Sequence, residues 1–221
     1  MRHILHTPHA PVALQRAIAR GATNWDRFDP KEAVSEALDT LQVGLCAYCQ
    51  IRVDSEIGSH IEHLWPRHAH TSMTFQWNNL LLSCTHSDEI GVARLTGGVS
   101  CGHSDGKRRW PAYDPQFVSP TEPDCERYFE YRVGDGTVQP ARGLCAQDAA
   151  RARYTIHLLN LNCRRLCRLR KDMLEEGYRI IGELLSEGCD LAHFLECEMI
   201  AIGGRLRSFF TARRQHFQAL A

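Results

Sequence analysis

Apolar residues recur at three- and four-residue steps near both ends of the chain and lose that rhythm through the middle. In "PVALQRAIAR" (11–20) the period predicts a helix stopped by Gly21. A second helix is predicted from Pro30, behind an Asp29 cap, through "KEAVSEALDTLQ" to Gln42. From about Ala146 the helical rhythm returns. "TIHLLNLNCRRLCRLRKDMLEEGYRIIGELLSEG" (155–188) and "DLAHFLECEMIAIGGRLRSFFTARRQHF" (190–217) both read as helix. Leu159, Leu166, Met173 and Ile180 make a seven-residue stripe there, suited to core packing or to docking on a partner helix.

The middle reads differently. Residues 43–110 are dense in Cys, His and Gly, and "EIGSHIEHLWP" (56–66) reads as a strand that Pro66 ends. "NNLLLSC" (78–84) reads as the opening of a helix or turn capped by Asn78 or Asn79. Residues 111–143 are loop, except that "YFEYRVGDGTVQP" (128–140) predicts a hairpin turning at Gly134-Asp135-Gly136.

Composition narrows the class. A chain of 221 residues, 43% hydrophobic and 24% charged, suits a globular protein with one sizeable core or two small ones. No apolar run approaches the ~20 residues that span a bilayer, and the first twenty residues lack a secretory pattern. The expectation is a cytoplasmic protein with no membrane contact, whose ten cysteines are mostly reduced. Twenty-six basic residues balance 26 acidic ones, so any grip on nucleic acid is local or shared with a partner.

Candidate chemistry concentrates between residues 46 and 107. Cys46 and Cys49 form a C-x2-C pair, the usual half-site of structural zinc, and Cys84 and Cys101 would complete a closed four-thiolate shell. His86 is a substitute ligand for the distant pair, and burial as small residues is the plain alternative. Cys163 and Cys167, one helical turn apart, read as core. Glu62 and His63 fall at the strand end, where both can approach one cleft. A neutral imidazole suits removal of a proton from water, and a carboxylate suits Mg2+ or Mn2+. His60, His68 and His70 read as solvated or hydrogen-bonded ahead of a metal role, and His3, His6 and His9 as a frayed tail ahead of loose metal binding. The five cations of "RRLCRLRK" (164–171) read as phosphate contacts or as a solvated face.

In chain order the pattern runs Cys46, Cys49, Glu62-His63, Pro66, Asn79-Leu80, Cys84, Cys101, His103, Lys107. It resembles the HNH endonucleases, the ββα-metal family. "RRWPAYDPQFVSPTEPDCERYFEYRVGDGTVQP" and "TIHLLNLNCRRLCRLR" resemble one subgroup of that family. It is found beside retrons and in Septu anti-phage systems, where the HNH protein PtuB works with the ATPase PtuA. The likeness covers residues 43 to 171.

The resemblance implies an α+β, mostly helical fold with a zinc-braced ββα-metal core. Residues 1–42 would form an N-terminal helical arm, 43–118 the nuclease core, and 119–221 a hairpin and C-terminal helical region. It implies that His63 is the general base, that Glu62 and His103 hold a catalytic Mg2+ or Mn2+, and that Asn79 orients the loop around the base. Lys107 would lie near the phosphate, and Arg67, Arg108 and Arg109 are the nucleic-acid contacts expected beside the motif. The sequence departs from the family at "CGHSDGK", where Gly102 is inserted, so Asp105 stands as an alternative or additional ligand to His103. The activity implied is DNA phosphodiester hydrolysis in anti-phage defence under a PtuA-like ATPase. The alternatives are a zinc-stabilised scaffold with a degenerate site, and a nuclease directed at RNA such as tRNA.

Overall fold

Helix α1 (Val12–Ala19) buries Leu14, and α2 (Lys31–Gln42) buries Val34, Leu38 and Gln42 at four-residue steps, in a computed structural model that describes residues 1–55 and 57–218. Pro30, not Asp29, occupies the cap position of α2, and no side chain caps it. Proline supplies a helical φ without needing an N–H partner, so the first turn forms uncapped.

Gln42 ties the end of α2 to the central hairpin. Its amide accepts from Leu82 N (2.7 Å) and donates to Leu45 O (2.7 Å) and Leu82 O (2.8 Å). It thus completes the ladder of a strand whose outer edge would otherwise be buried unpaired. That strand is β2 (Leu80–Cys84), buried throughout, and it pairs antiparallel with β1 (Ser59–His63) in the register Glu62↔Leu81 and His63↔Leu80. Of the helix or turn expected to open in "NNLLLSC", the turn forms, as a short 3-10 turn (Trp77–Asn79), and a strand rather than a helix follows it. Pairing on both edges decided the conformation, not the capping potential of Asn78 or Asn79.

A tight turn at Leu45–Arg52 carries the first two cysteines. Cys46 N donates to Ile51 O (2.8 Å), and Ala47 N donates to Leu82 O (3.0 Å), which fastens the turn to β2. After β2 come two short helices, α3 (Ile90–Leu95) and α4 (Asp105–Arg108). The 128–140 hairpin forms as β3 (Phe129–Tyr131) and β4 (Val138–Pro140). Gly136, at φ +67, lies against α6, where a Cβ would fall 2.0 Å from Cys167 O.

The long C-terminal helix is interrupted. Helices α5 (Ala146–Leu158) and α6 (Arg164–Ser186) are separated at Leu159–Cys163, where Asn160 is left-handed (φ 50). Asn160 donates to Val99 O, and Asn162 exchanges two hydrogen bonds with Val138, so the break is held by tertiary partners. A second break separates α7 (Ala192–Met199) from α8 (Phe210–Phe217), through Gly203 and Gly204. The buried stripe of α6 is Leu166, Arg170, Leu174, Gly177 and Ile181, so Leu159 lies outside the helix and Met173 and Ile180 lie beside the stripe.

Two of the five cations in 164–171 are internal. Arg170, 1% exposed, donates to Leu161 O (2.7 Å) and to Gly136 O, and Arg165 is also buried. The N-terminal segment is packed as well: Met1 and Ile4 are buried, and His6 Nε2 donates to Leu80 O (2.9 Å). One apolar core runs from Met1 and α2 through the β1–β2 hairpin to α5, α6 and the start of α8, and a small second cluster joins α6, α7 and α8. No described helix is long and apolar enough to cross a membrane.

Candidate functional site

The four cysteines converge because three structural units meet. The Leu45–Arg52 turn brings Cys46 and Cys49, β2 brings Cys84 at its end, and the segment before α4 brings Cys101. Cys101 N donates to Leu159 O (2.8 Å) and Ser104 Oγ to Leu158 O (2.6 Å), so the α5 C-terminus clamps the last ligand in place. All four sulfurs are buried and lie within 4.8 Å of one another. Cys49 Sγ and Cys84 Sγ are 3.6 Å apart. A zinc ion with Zn–S bonds of ~2.3 Å has tetrahedral sulfur–sulfur edges of ~3.8 Å, so the donor set fits structural zinc with no open position. His86 is exposed and outside the cluster, its ring accepting from Asp88 N.

The electrostatics agree. Burial raises the Cys49 and Cys101 thiols well above their usual value. Burial opposes ionisation of Cys46 too, but hydrogen bonds from Cys101, Cys49 and Cys84 outweigh it and hold that thiol well below the usual range. A cation held by the four sulfurs would offset the cost of ionising thiols in so dry a pocket. The described residues show no other group of three metal-ligating side chains gathered so closely.

Next to this cluster a cleft of about 950 Å³ opens, lined among others by Trp25, His60, Glu62, His63, His103 and Lys107. Arg67 and Arg108 also line it. Arg67 is half-paired with exposed Asp26 (3.2 Å). Asp105 and Arg109 are exposed and stand off the cleft lining, whereas Gly102, His103 and Lys107 of the "CGHSDGK" segment line it.

His63 is buried against Trp25, whose ring meets it edge-on at 4.5 Å. Its Nε2 lies 3.0 Å from the Thr74 carbonyl. A carbonyl only accepts, so Nε2 carries the proton and Nδ1 keeps its lone pair. Burial pushes the His63 pKa down to about 4, so the ring is neutral at ordinary pH. The loop leading to that carbonyl is held by Asn79, which is 1% exposed. Asn79 Oδ1 accepts from Trp65 N (2.7 Å), and its Nδ2 donates to Met73 O (2.9 Å) and Trp65 O (3.3 Å). Those bonds tie both ends of the 65–73 loop to the start of β2.

Glu62 faces the other side of the strand from His63, in company with His60 two residues earlier. Lys107 Nζ approaches Glu62 Oε1 at 3.1 Å, and His60 Nε2 is 3.6 Å from Oε2. Burial works to raise the Glu62 carboxyl, yet Lys107, with His60 behind it, holds it below the usual carboxylate range. For Lys107 the balance tips the other way: burial lowers its ammonium, with Glu62 opposing. The lysine side chain is 3% exposed. Its remaining protons go to His63 O (3.2 Å) and Leu64 O (2.8 Å), so the ammonium is saturated from within the protein. It also sits 4.2 Å over the Trp110 ring. Lys107 thus braces β1 against α4 and holds Glu62, in place of an open approach to a phosphate.

Two participants escaped the sequence reading. Trp25 lies between α1 and α2 and carries no motif signal. His60 had one: at i and i+2 of Glu62 on a strand, its side chain shares the carboxylate's face. His60 Nδ1 donates to Thr85 O (2.8 Å) and its ring stacks on His103 (centroids 3.7 Å, 24°). Its Nε2 is buried without a hydrogen-bond partner among the described residues. Burial first, and then His60, push the His103 pKa down to about 4. His68 and His70 are satisfied elsewhere, on Pro111 O and Tyr113 N.

No family model matches the chain. It is similar to the protein named "Retron Vc95 putative HNH endonuclease" of Vibrio cholerae serotype O1 biovar El Tor, at 29% identity over 147 residues. It is also similar to "Retron Ec83 putative HNH endonuclease" of Escherichia coli, at 27% identity over 180 residues. The first match covers 66% of this chain and 65% of that relative, and the second covers 68% and 70%.

Proposed function

We propose that this protein is a metal-dependent HNH-type endonuclease that hydrolyses DNA phosphodiester bonds in anti-phage defence, under the control of a PtuA-like ATPase. The observation that carries the reading is the His63 ring. Its tautomer is set by the Thr74 carbonyl, its Nδ1 is left basic, and it lines the same cleft as Glu62 and His103. His63 Nδ1 takes the proton of a water as that water attacks phosphorus in line. Trp25 and the pinned 65–73 loop keep the ring from turning. Glu62 and His103 are the residues that would hold the divalent cation. Once bound, the ion would supply charge stabilisation for the phosphate oxygens and the departing 3′ oxygen.

The hairpin β1–β2, with α3 and then the short helix α4 after it and four clustered cysteines beside it, supports the reading of a ββα-metal core. The two similar proteins are named for retrons and for HNH nuclease activity, which supports the defence setting. The zero net charge supports an ATPase partner that supplies part of the DNA grip.

A second reading, a zinc-stabilised scaffold, is favoured by one observation: the Lys107 ammonium already occupies one oxygen of Glu62. The test is plasmid nicking with Mn2+ by the wild-type protein and by His63→Ala, alone and with the ATPase added. Cleavage that disappears in the variant supports the nuclease, and its absence in every mixture supports the scaffold. Total RNA as a parallel substrate separates a DNA from an RNA target.

A further inference from the structure

We infer that His60 is a ligand of the catalytic cation, pairing with Glu62 from the same strand face, and that Gly102 is present to leave room for that ion. The inference rests on the nuclease reading above and names who holds its metal.

Three observations converge. First, Lys107 takes Glu62 Oε1, which leaves Oε2, and Oε2 faces His60 Nε2 at 3.6 Å. Two cis ligands of a six-coordinate ion with bonds of ~2.1 Å lie ~3.0 Å apart, so a small closure of this pair grips a Mg2+-sized cation. Second, His60 Nδ1 is committed to Thr85 O, which puts the proton on that nitrogen and the lone pair on Nε2. Among the described residues that Nε2 has no hydrogen-bond partner though it is buried, a costly condition that a cation would relieve.

Third, Gly102 has no positive φ to explain it, but a Cβ there would fall 2.6 Å from Glu62 Oε2 and 2.7 Å from His60 Nε2. Any side chain would fill the space between the two donors. His103, stacked on His60, is the further imidazole beside the pair.

The experiment uses the full-length protein with its zinc content measured, titrated with Mn2+ by calorimetry and examined by electron spin-echo envelope modulation. The wild type is expected to bind one Mn2+ showing two imidazole-nitrogen couplings, from His60 and His103. His60→Gln should lose one coupling and weaken Mn2+ at least tenfold, with zinc unchanged. Gly102→Ala should weaken it comparably without touching a ligand, and this holds the test if the His60 variant folds poorly. His68→Ala, on the cleft rim, should bind as wild type. Loss of Mn2+ in Glu62→Gln, with His60→Gln and Gly102→Ala both within twofold of wild type, would overturn the role of His60 and leave the cation reading standing. A wild type that binds no Mn2+ would overturn both.

Discussion

Lys107→Met separates an internal strut from a phosphate contact. The substitution keeps the length and apolar body of the side chain and removes only the ammonium. In the structure that ammonium satisfies Glu62 Oε1, His63 O and Leu64 O, and its side chain is 3% exposed. Removing one partner of a buried ion pair costs about 3–5 kcal/mol, and each stranded carbonyl adds about 1–3 kcal/mol. Glu62 keeps 12% exposure toward the cleft, so water can replace part of what is lost. We therefore expect about 3 kcal/mol. A chain of this length loses about 0.5 kcal/mol of stability per kelvin at its midpoint, so Tm should fall by about 6–7 °C. Calorimetry on zinc-loaded protein, with urea melts alongside, gives the number. Adding Glu62→Gln should return at least half of the loss, because the stranded carboxylate is then gone. The reasoning fails if Lys107→Met melts within 1 °C of wild type and instead binds DNA with a salt slope shallower by about one, as a solvent-facing phosphate contact would.

Other predictions concern the cysteines, the loop and the base. Cys49→Ser should lower zinc stoichiometry in elemental analysis and leave a protein that unfolds at physiological temperature, because structural zinc contributes folding energy directly; full zinc with unchanged stability would refute the tetrad. Asn79→Ala strands Trp65 N, Trp65 O and Met73 O, and should cost about 2–4 kcal/mol in urea unfolding while slowing cleavage, since Thr74 would no longer hold the base. The His63 pKa, at about 4, lies below the free value of 6.5, so the unfolded chain binds a proton there first. Stability from this group is therefore complete above pH 6.5 and is lost as pH falls toward 4, by about 2–3 kcal/mol. An NMR titration placing the His63 midpoint near 6.5 would contradict the buried, carbonyl-bonded ring.

What the sequence determined by itself is local. The C-x2-C spacing makes a knuckle because both thiols must leave one tight turn, and Cys84 and Cys101 were visible as the remaining pair. The first two helices, the 128–140 hairpin and the return of helix at Ala146 follow from periodicity and turn residues over short windows. "NNLLLSC" was not legible, because its strand conformation depends on Gln42 on one edge and β1 on the other, 40 and about 20 residues away. The breaks at Asn160 and at Gly203-Gly204 were missed because helical apolar spacing continues across them, while the hydrogen bonds that hold Asn160 and Asn162 come from Val99 and Val138. The same long-range packing took Arg165 and Arg170 out of solvent and turned Lys107 inward.

At the candidate site, residue types were readable and their partners were not. Glu62, His63 and Asn79 stand out in the chain, but which neighbours they meet is set by the β1–β2 pairing and the packing around it. Strand alternation places His60 beside Glu62, and only the clamp of the α5 C-terminus on Cys101 and Ser104 brings Gly102 between them. A buried nitrogen lacking a partner is a property of three dimensions, because burial sums over every segment that packs on the group.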